Sequence, residues 1–157
     1  MEIDPATHVG SVSLRVADAE SVARLYEGAL GLRRVAGDGD LTLSADGERP
    51  LLVLKEAPGA PSAPPRAAGL FHTAVLFSTR SALADALRRV AEAGFRLTGA
   101  SDHGVSEALY LNDPDGNGVE LYRDRPESEW PRTADGSVAM VSEPLDVNAL
   151  LAEAPNA

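Results

Sequence analysis

The chain runs twice through the same order of elements, and that internal repeat is what most limits the folds open to it. Each copy reads as a strand, a helix closed by a glycine, and three further strands. Gly31 and Gly94 end the two helices at matching places. Two copies of one supersecondary unit are implied, because each is too small to bury its own sheet alone.

In the first copy, residues 9–16 alternate apolar and polar side chains, which is the period of a half-buried strand. Val12, Leu14 and Val16 share one face, and Ser11, Ser13 and Arg15 the other. Asp18 is placed to cap the next helix, where Val22, Leu25, Tyr26 and Ala29 recur at helical spacing. Strands are expected at 32–35, at 40–44 beyond Gly37 and Gly39, and at 51–54 beyond Asp46 and Gly47.

Residues 57–68 hold four prolines and many alanines, and read as a linker. The second copy opens with a strand over 71–77. Ser78 or Thr79 caps a helix with Leu83, Leu87, Val90 and Ala91 on one stripe. Strands follow at 95–99, around His103, at 107–112 and at 119–123. The organisation expected is a domain over 1–126 built from modules at about 7–57 and 69–124, with a linker at 58–68. A tail over 127–157 packs on the domain or on a partner. Trp130 anchors it, a short amphipathic segment spans 147–152, and no catalysis is assigned to it.

Charge and composition exclude several functions. The formal net charge of −10 argues against nucleic acid or an anionic membrane as partner. With no cysteine there is no disulfide, thiol nucleophile or zinc–thiolate site. No apolar run reaches the ~20 residues that a spanning helix requires. The first residues lack an apolar signal core, so the cytoplasm is the expected location.

The chemistry concentrates in the second copy. Glu120 lies in the apolar run Gly118-Val-Glu-Leu-Tyr122, where a carboxylate is costly unless paired. His72 lies in another, and an imidazole with a carboxylate is ligand chemistry for a divalent metal. The same two residues would also make a metal-free buried hydrogen bond. Alternation puts His72 with Ala74 and Leu76 on the open face, and Phe71, Val75 and Phe77 under the helices. It puts Tyr110 and Glu120 on the His72 side. His103 reads either as a solvent-exposed loop residue or as a proton-transfer group at the cavity mouth. His8 is a further metal candidate that reaches the cavity only if Gly10 makes a bulge. Asp113-Pro-Asp-Gly-Asn117 resembles the start of a calcium loop. Its proline, and Asp124 where a bidentate Glu belongs, make it a tight turn instead.

The duplication, together with Gly69-Leu-Phe-His72 and Asp113-Pro-Asp-Gly-Asn-Gly-Val-Glu-Leu-Tyr122, resembles the vicinal-oxygen-chelate superfamily. That superfamily holds glyoxalase I, bleomycin-resistance proteins and extradiol dioxygenases. Residues 101–126, Glu143-Pro-Leu-Asp146 and Leu150-Leu-Ala-Glu153 are most similar to the amino-terminal half of catechol 2,3-dioxygenase-like proteins. The resemblance implies an α+β fold in which two βαβββ modules form a cup-shaped mixed sheet with helices on its outer face.

It further implies a divalent metal on His72 and Glu120, Fe(II) or Mn(II) first and Zn(II) or Ni(II) as alternates. Tyr110 and His103 would be catalytic, and the substrate a small, catechol-type molecule. The first-module ligand positions of the family fall on Ser11 and at or near Val53, so this chain carries half a metal site. A homodimer is expected. The alternatives are a non-catalytic binding protein of the bleomycin-resistance branch and one half of a hetero-complex dioxygenase.

Overall fold

A computed structural model describes residues 3–4, 6–7, 10–61 and 69–155. The chain divides into two compact units, residues 1–61 and 62–157.

In the first unit, β1 (Val12–Val16) buries Leu14 and Val16 and leaves Ser13 and Arg15 exposed, as its alternation predicts. Helix α1 (Ala19–Arg24) starts where the Asp18 carboxylate accepts from Ser21 N–H at 2.9 Å. It continues into a π-helical turn, Leu25–Ala29, in which Leu30 N–H reaches back to the Leu25 carbonyl. The sequence pattern predicts ordinary helix there. The π turn takes in one extra residue while keeping Leu25, Tyr26 and Ala29 buried. Gly31, at φ +77°, ends it.

Strands β2 (Arg33–Val35), β3 (Leu41–Ser44) and β4 (Leu52–Glu56) follow. The sheet order is β1-β4-β3-β2, with β1 and β4 parallel and the other pairs antiparallel. The parallel pair needs a crossover, and α1 begins it.

The second unit repeats the scheme. After β5 (Thr73–Leu76), Thr79 caps α2 (Arg80–Glu92) by accepting from Ala82 N–H at 3.0 Å. Leu83, Ala84, Ala86, Leu87 and Val90 form its buried stripe, while Ala91, expected on that stripe, is exposed. Gly94 closes the helix at φ +80°. Then come β6 (Leu97–Asp102), β7 (Ser106–Asn112) and β8 (Gly118–Asp124). The separate strand expected around His103 is absent. A register irregularity between Leu97 and Gly99 lets β6 run on to Asp102, and His103 sits in the turn to β7.

This sheet has the order β5-β8-β7-β6-β9, with β5 and β8 parallel and β9 (Glu143–Pro144) added from the tail. Leu109, Leu111, Val119 and Leu121 bury one face of it. Helix α3 (Val147–Leu151) packs on α2 through fully buried Leu150. Fully burying one leucine contributes about 1.5–3 kcal/mol.

Two mixed sheets in βαβββ order make this the α+β fold read from the repeat. No described helix is long and apolar enough to cross a membrane. Phe71 departs from expectation. It precedes the first ladder residue, Thr73, so nothing holds it to the helix face, and it is 87% exposed.

The sequence pattern marks Glu107 only as part of a strand. It is 3% exposed and points with Leu109 and Leu111 to the helix face. The guanidiniums of Arg80 (2.9 Å), Arg123 (2.8 Å) and Arg125 (3.5 Å) surround its carboxylate. Arg80 also bonds Glu153 just past α3, which ties the tail to the sheet.

Candidate functional site

The site is set by register in the second sheet. Tyr110 of β7 stands directly opposite Glu120 of β8, and Ala74 of β5 is opposite Glu120 on the other side. All three therefore point to the face away from the helices. Asp113 holds the β7–β8 connection in place. One of its oxygens accepts from the N–H groups of Asp115 (2.9 Å) and Asn117 (2.8 Å), and the other from the Asn117 side chain (2.9 Å). The carboxylate is spent on its own turn, in keeping with a tight turn and not a calcium loop. Burial pushes the Asp113 carboxyl above the usual carboxylate range, against the pull of these bonds.

His72 sits one residue before β5. The chain there passes so close to β8 that a Cβ at Gly118 would lie 2.4 Å from the Phe71 carbonyl oxygen and 3.2 Å from the His72 Cβ. Glycine at 118 makes that approach feasible. The result is a distance of 2.8 Å between His72 Nε2 and Glu120 Oε2, with side-chain exposures of 28% and 15%. Without a metal, the ring N–H donates to the carboxylate. The spacing also suits a cation, because two ligand atoms about 2.1 Å from an octahedral centre lie about 3 Å apart in adjacent positions.

A second chain of bonds approaches from the other side. The Tyr110 hydroxyl is 3.0 Å from His103 Nε2, and His103 Nδ1 is 3.0 Å from the Val141 carbonyl oxygen. Burial raises the Tyr110 phenol, and the hydrogen bond and charge of Glu120 raise it further, to about 12. The phenol keeps its proton at neutral pH and has two acceptors in reach, His103 and Glu120. Burial, then the charges of Asp124 and Glu120, raise the Tyr122 phenol as well. His103 is thus no free loop histidine, since both ring nitrogens are engaged.

The structure brings His72, Glu120, Tyr110 and His103 together. His8 lies outside the described residues. Among the described residues, no group of three or more His, Asp or Glu side chains is placed to hold a metal. The pair fits two positions of a divalent centre with nitrogen and oxygen donors, and a third protein donor would have to come from elsewhere. In the first unit, Ser11, Ser13, Thr42, Val53 and Lys55 line a hollow of about 420 Å³ in which Lys55 approaches Asp40 at 3.9 Å. Sequence reasoning missed two parts of the site. One is the Val141 carbonyl, which no side-chain pattern marks. The other is the close approach at Gly118, whose only signal was a glycine at the head of a strand.

A sequence profile of the glyoxalase/bleomycin resistance protein/dioxygenase superfamily matches residues 8–121. Among characterised proteins, the chain is 43% identical over 150 residues to a catechol-2,3-dioxygenase of Bacillus subtilis (strain 168). That match covers 94% of this chain and 52% of the relative. It is 38% identical over 84 residues to biphenyl-2,3-diol 1,2-dioxygenase 3 of Rhodococcus globerulus, covering 52% of this chain and 44% of the relative. The chain spans about half the length of the curated relatives it matches.

Among solved structures, a glyoxalase/dioxygenase from Nostoc punctiforme superposes with a TM-score of 0.68 at 16% identity. It covers 80% of this chain and 98% of its own. A glyoxylase/bleomycin resistance protein/dioxygenase domain from Frankia sp. EAN1pec gives 0.62 at 24%, covering 76% and 98%. These two likenesses speak for the fold.

Proposed function

Since the chain belongs to the glyoxalase/bleomycin resistance protein/dioxygenase superfamily, we propose that it is a metal-dependent enzyme of the extradiol type acting on a catechol-like small molecule. The observation that carries this reading is the 2.8 Å approach of His72 Nε2 to Glu120 Oε2 beside a tyrosine–histidine pair. The 43% identity to a catechol-2,3-dioxygenase supports the substrate class. His72 and Glu120 would hold the metal, Fe(II) or Mn(II) by ligand type, with Zn(II) or Ni(II) as alternates. When bound, such an ion supplies Lewis acidity and a template for two vicinal oxygens and O₂.

The chain's own groups supply the rest. Glu120 and His72 orient the reacting end of the substrate. Ala74 and Leu76, exposed on the same face, offer an apolar wall to a ring. The Tyr110 hydroxyl, protonated at neutral pH, donates toward a substrate oxygen or toward His103 Nε2. His103 takes or returns that proton.

Among the described residues, two protein donors leave the set one short of a facial triad. A second copy of the chain in a homodimer, or a separate partner chain, would contribute the third. The same shortage favours a second reading, a non-catalytic binding protein with a small-molecule ligand.

One experiment separates the readings. Protein loaded anaerobically with Fe(II) is exposed to air with a panel of catechols, and ring opening is followed by absorbance. Metal content and solution mass are measured on the same sample. Turnover with stoichiometric iron supports the enzyme. Iron-free protein that binds ligands without altering them supports the binding reading.

A further inference from the structure

Resting on the reading of Tyr110 and His103 as a proton-transfer pair, we infer that the Val141 carbonyl is a positioning group. It holds His103 as the Nδ1–H tautomer and so leaves Nε2 as a proton acceptor. A carbonyl oxygen can only accept, so the nitrogen 3.0 Å from it must carry the hydrogen. In a neutral ring the other nitrogen then bears the lone pair, and that nitrogen faces the Tyr110 hydroxyl at 3.0 Å.

The tautomer decides which way the phenol proton points. With Nδ1–H, Tyr110 donates to His103. With Nε2–H, His103 would donate to the phenol oxygen, and the phenol proton would turn to Glu120. Only the first arrangement leaves His103 Nε2 a lone pair that can accept the phenol proton.

Residues beyond 126, to which the sequence pattern assigns no catalysis, build this contact. Val141 N–H returns a bond to the His103 carbonyl at 3.2 Å, so the two residues clasp each other. Gly104 takes φ +76°, and a Cβ there would lie 2.9 Å from Pro131 Cγ and 3.4 Å from Val141 Cγ2. Trp130 Nε1 donates to the Arg125 carbonyl at 2.8 Å, and Arg125 grips Asp102 at 2.6 and 2.7 Å. Asp102 in turn pairs with Glu143 in the β6–β9 ladder. The turn carrying His103 is held from both flanks by the segment that supplies the acceptor. The tail thus completes the proton-transfer pair through one main-chain oxygen.

The test is nitrogen-15 NMR of histidine-labelled protein at a pH where the ring is neutral. The expected spectrum shows His103 protonated at Nδ1, against the Nε2–H form that free histidine side chains favour. A dominant Nε2–H signal overturns the inference. Tyr110→Phe keeps the Nδ1–H form if the carbonyl sets the tautomer, and a switch to Nε2–H in that variant also overturns it. Val141→Pro removes the returning N–H bond, and is expected to mix the tautomers and lower kcat by about 10-fold or more, within the range of general acid–base effects, with KM nearly unchanged. Loss of kcat with the wild-type tautomer intact counts against the inference. Nδ1–H in a protein that opens no catechol ring sinks the dioxygenase reading and leaves this assignment standing.

Discussion

Gly118 and His72 lie backbone against side chain. The space where a Cβ of residue 118 would sit is bounded by the Phe71 carbonyl oxygen at 2.4 Å and the His72 Cβ at 3.2 Å. The position of the imidazole therefore depends on a side chain that is missing from the neighbouring strand.

Gly118→Ala should push residues 71 and 72 off β8, because the nearest obstacle is backbone and cannot rotate away. Overpacking of this kind costs about 1–3 kcal/mol. The expected outcome is a lower melting temperature together with weakened metal binding by calorimetry. Wild-type metal affinity in the alanine variant would show that the approach does not place His72.

His72→Ala and Glu120→Gln should each abolish stoichiometric metal retention while leaving the fold intact, since both side chains are partly exposed and lie on the open face. Metal analysis beside far-ultraviolet circular dichroism reads both effects. Retention of metal by either variant would move the centre elsewhere.

Asp102 links stability to pH. The hydrogen bond from Arg125 holds its carboxyl down at about 2, against the opposing effect of burial. A carboxyl lower in the folded than in the unfolded state stabilises the protein above the ordinary carboxylate range. That contribution is lost as pH falls from about 4 through about 2. Asp102→Asn should cost on the order of 1 kcal/mol at pH 7, allowing for its partial exposure, and close to nothing at pH 2. Urea midpoints at the two pH values test this, and an equal deficit at both would refute it.

Glu107→Ala should be far more damaging. It takes the shared carboxylate from three guanidiniums around a site that is 3% exposed; Arg80 keeps Glu153 and Arg125 keeps Asp102, while Arg123 loses its ion-pair partner. Removing one partner of a buried ion pair costs about 3–5 kcal/mol, and the lower end applies where the arginines keep some solvent. Denaturant unfolding at neutral pH measures it. A loss below about 1 kcal/mol would mean that water satisfies the arginines.

Much of this was legible in the residues, because the signals are local. Alternation in β7 and β8 put Tyr110 and Glu120 on one face, since side-chain direction follows from position along a strand. Asp18, Thr79, Gly31 and Gly94 marked helix ends through cap chemistry that spans only a few residues. The turn at Asp113 followed from its proline and glycine. Alternation says nothing past the last ladder residue, which is why Phe71 lies in solvent and not under the helices.

Tertiary structure alone decided what passes between segments far apart in the chain. The 2.8 Å meeting of His72 with Glu120 depends on the parallel β5–β8 pairing and on the gap above Gly118. The arginines around Glu107, and the Val141 carbonyl on His103, depend on chain that returns from 16 to 38 residues away. Periodicity and turn chemistry act within a few residues and are written in residue type. A distance between two strands is set by the packing of everything between them, and a main-chain oxygen is the same in every residue.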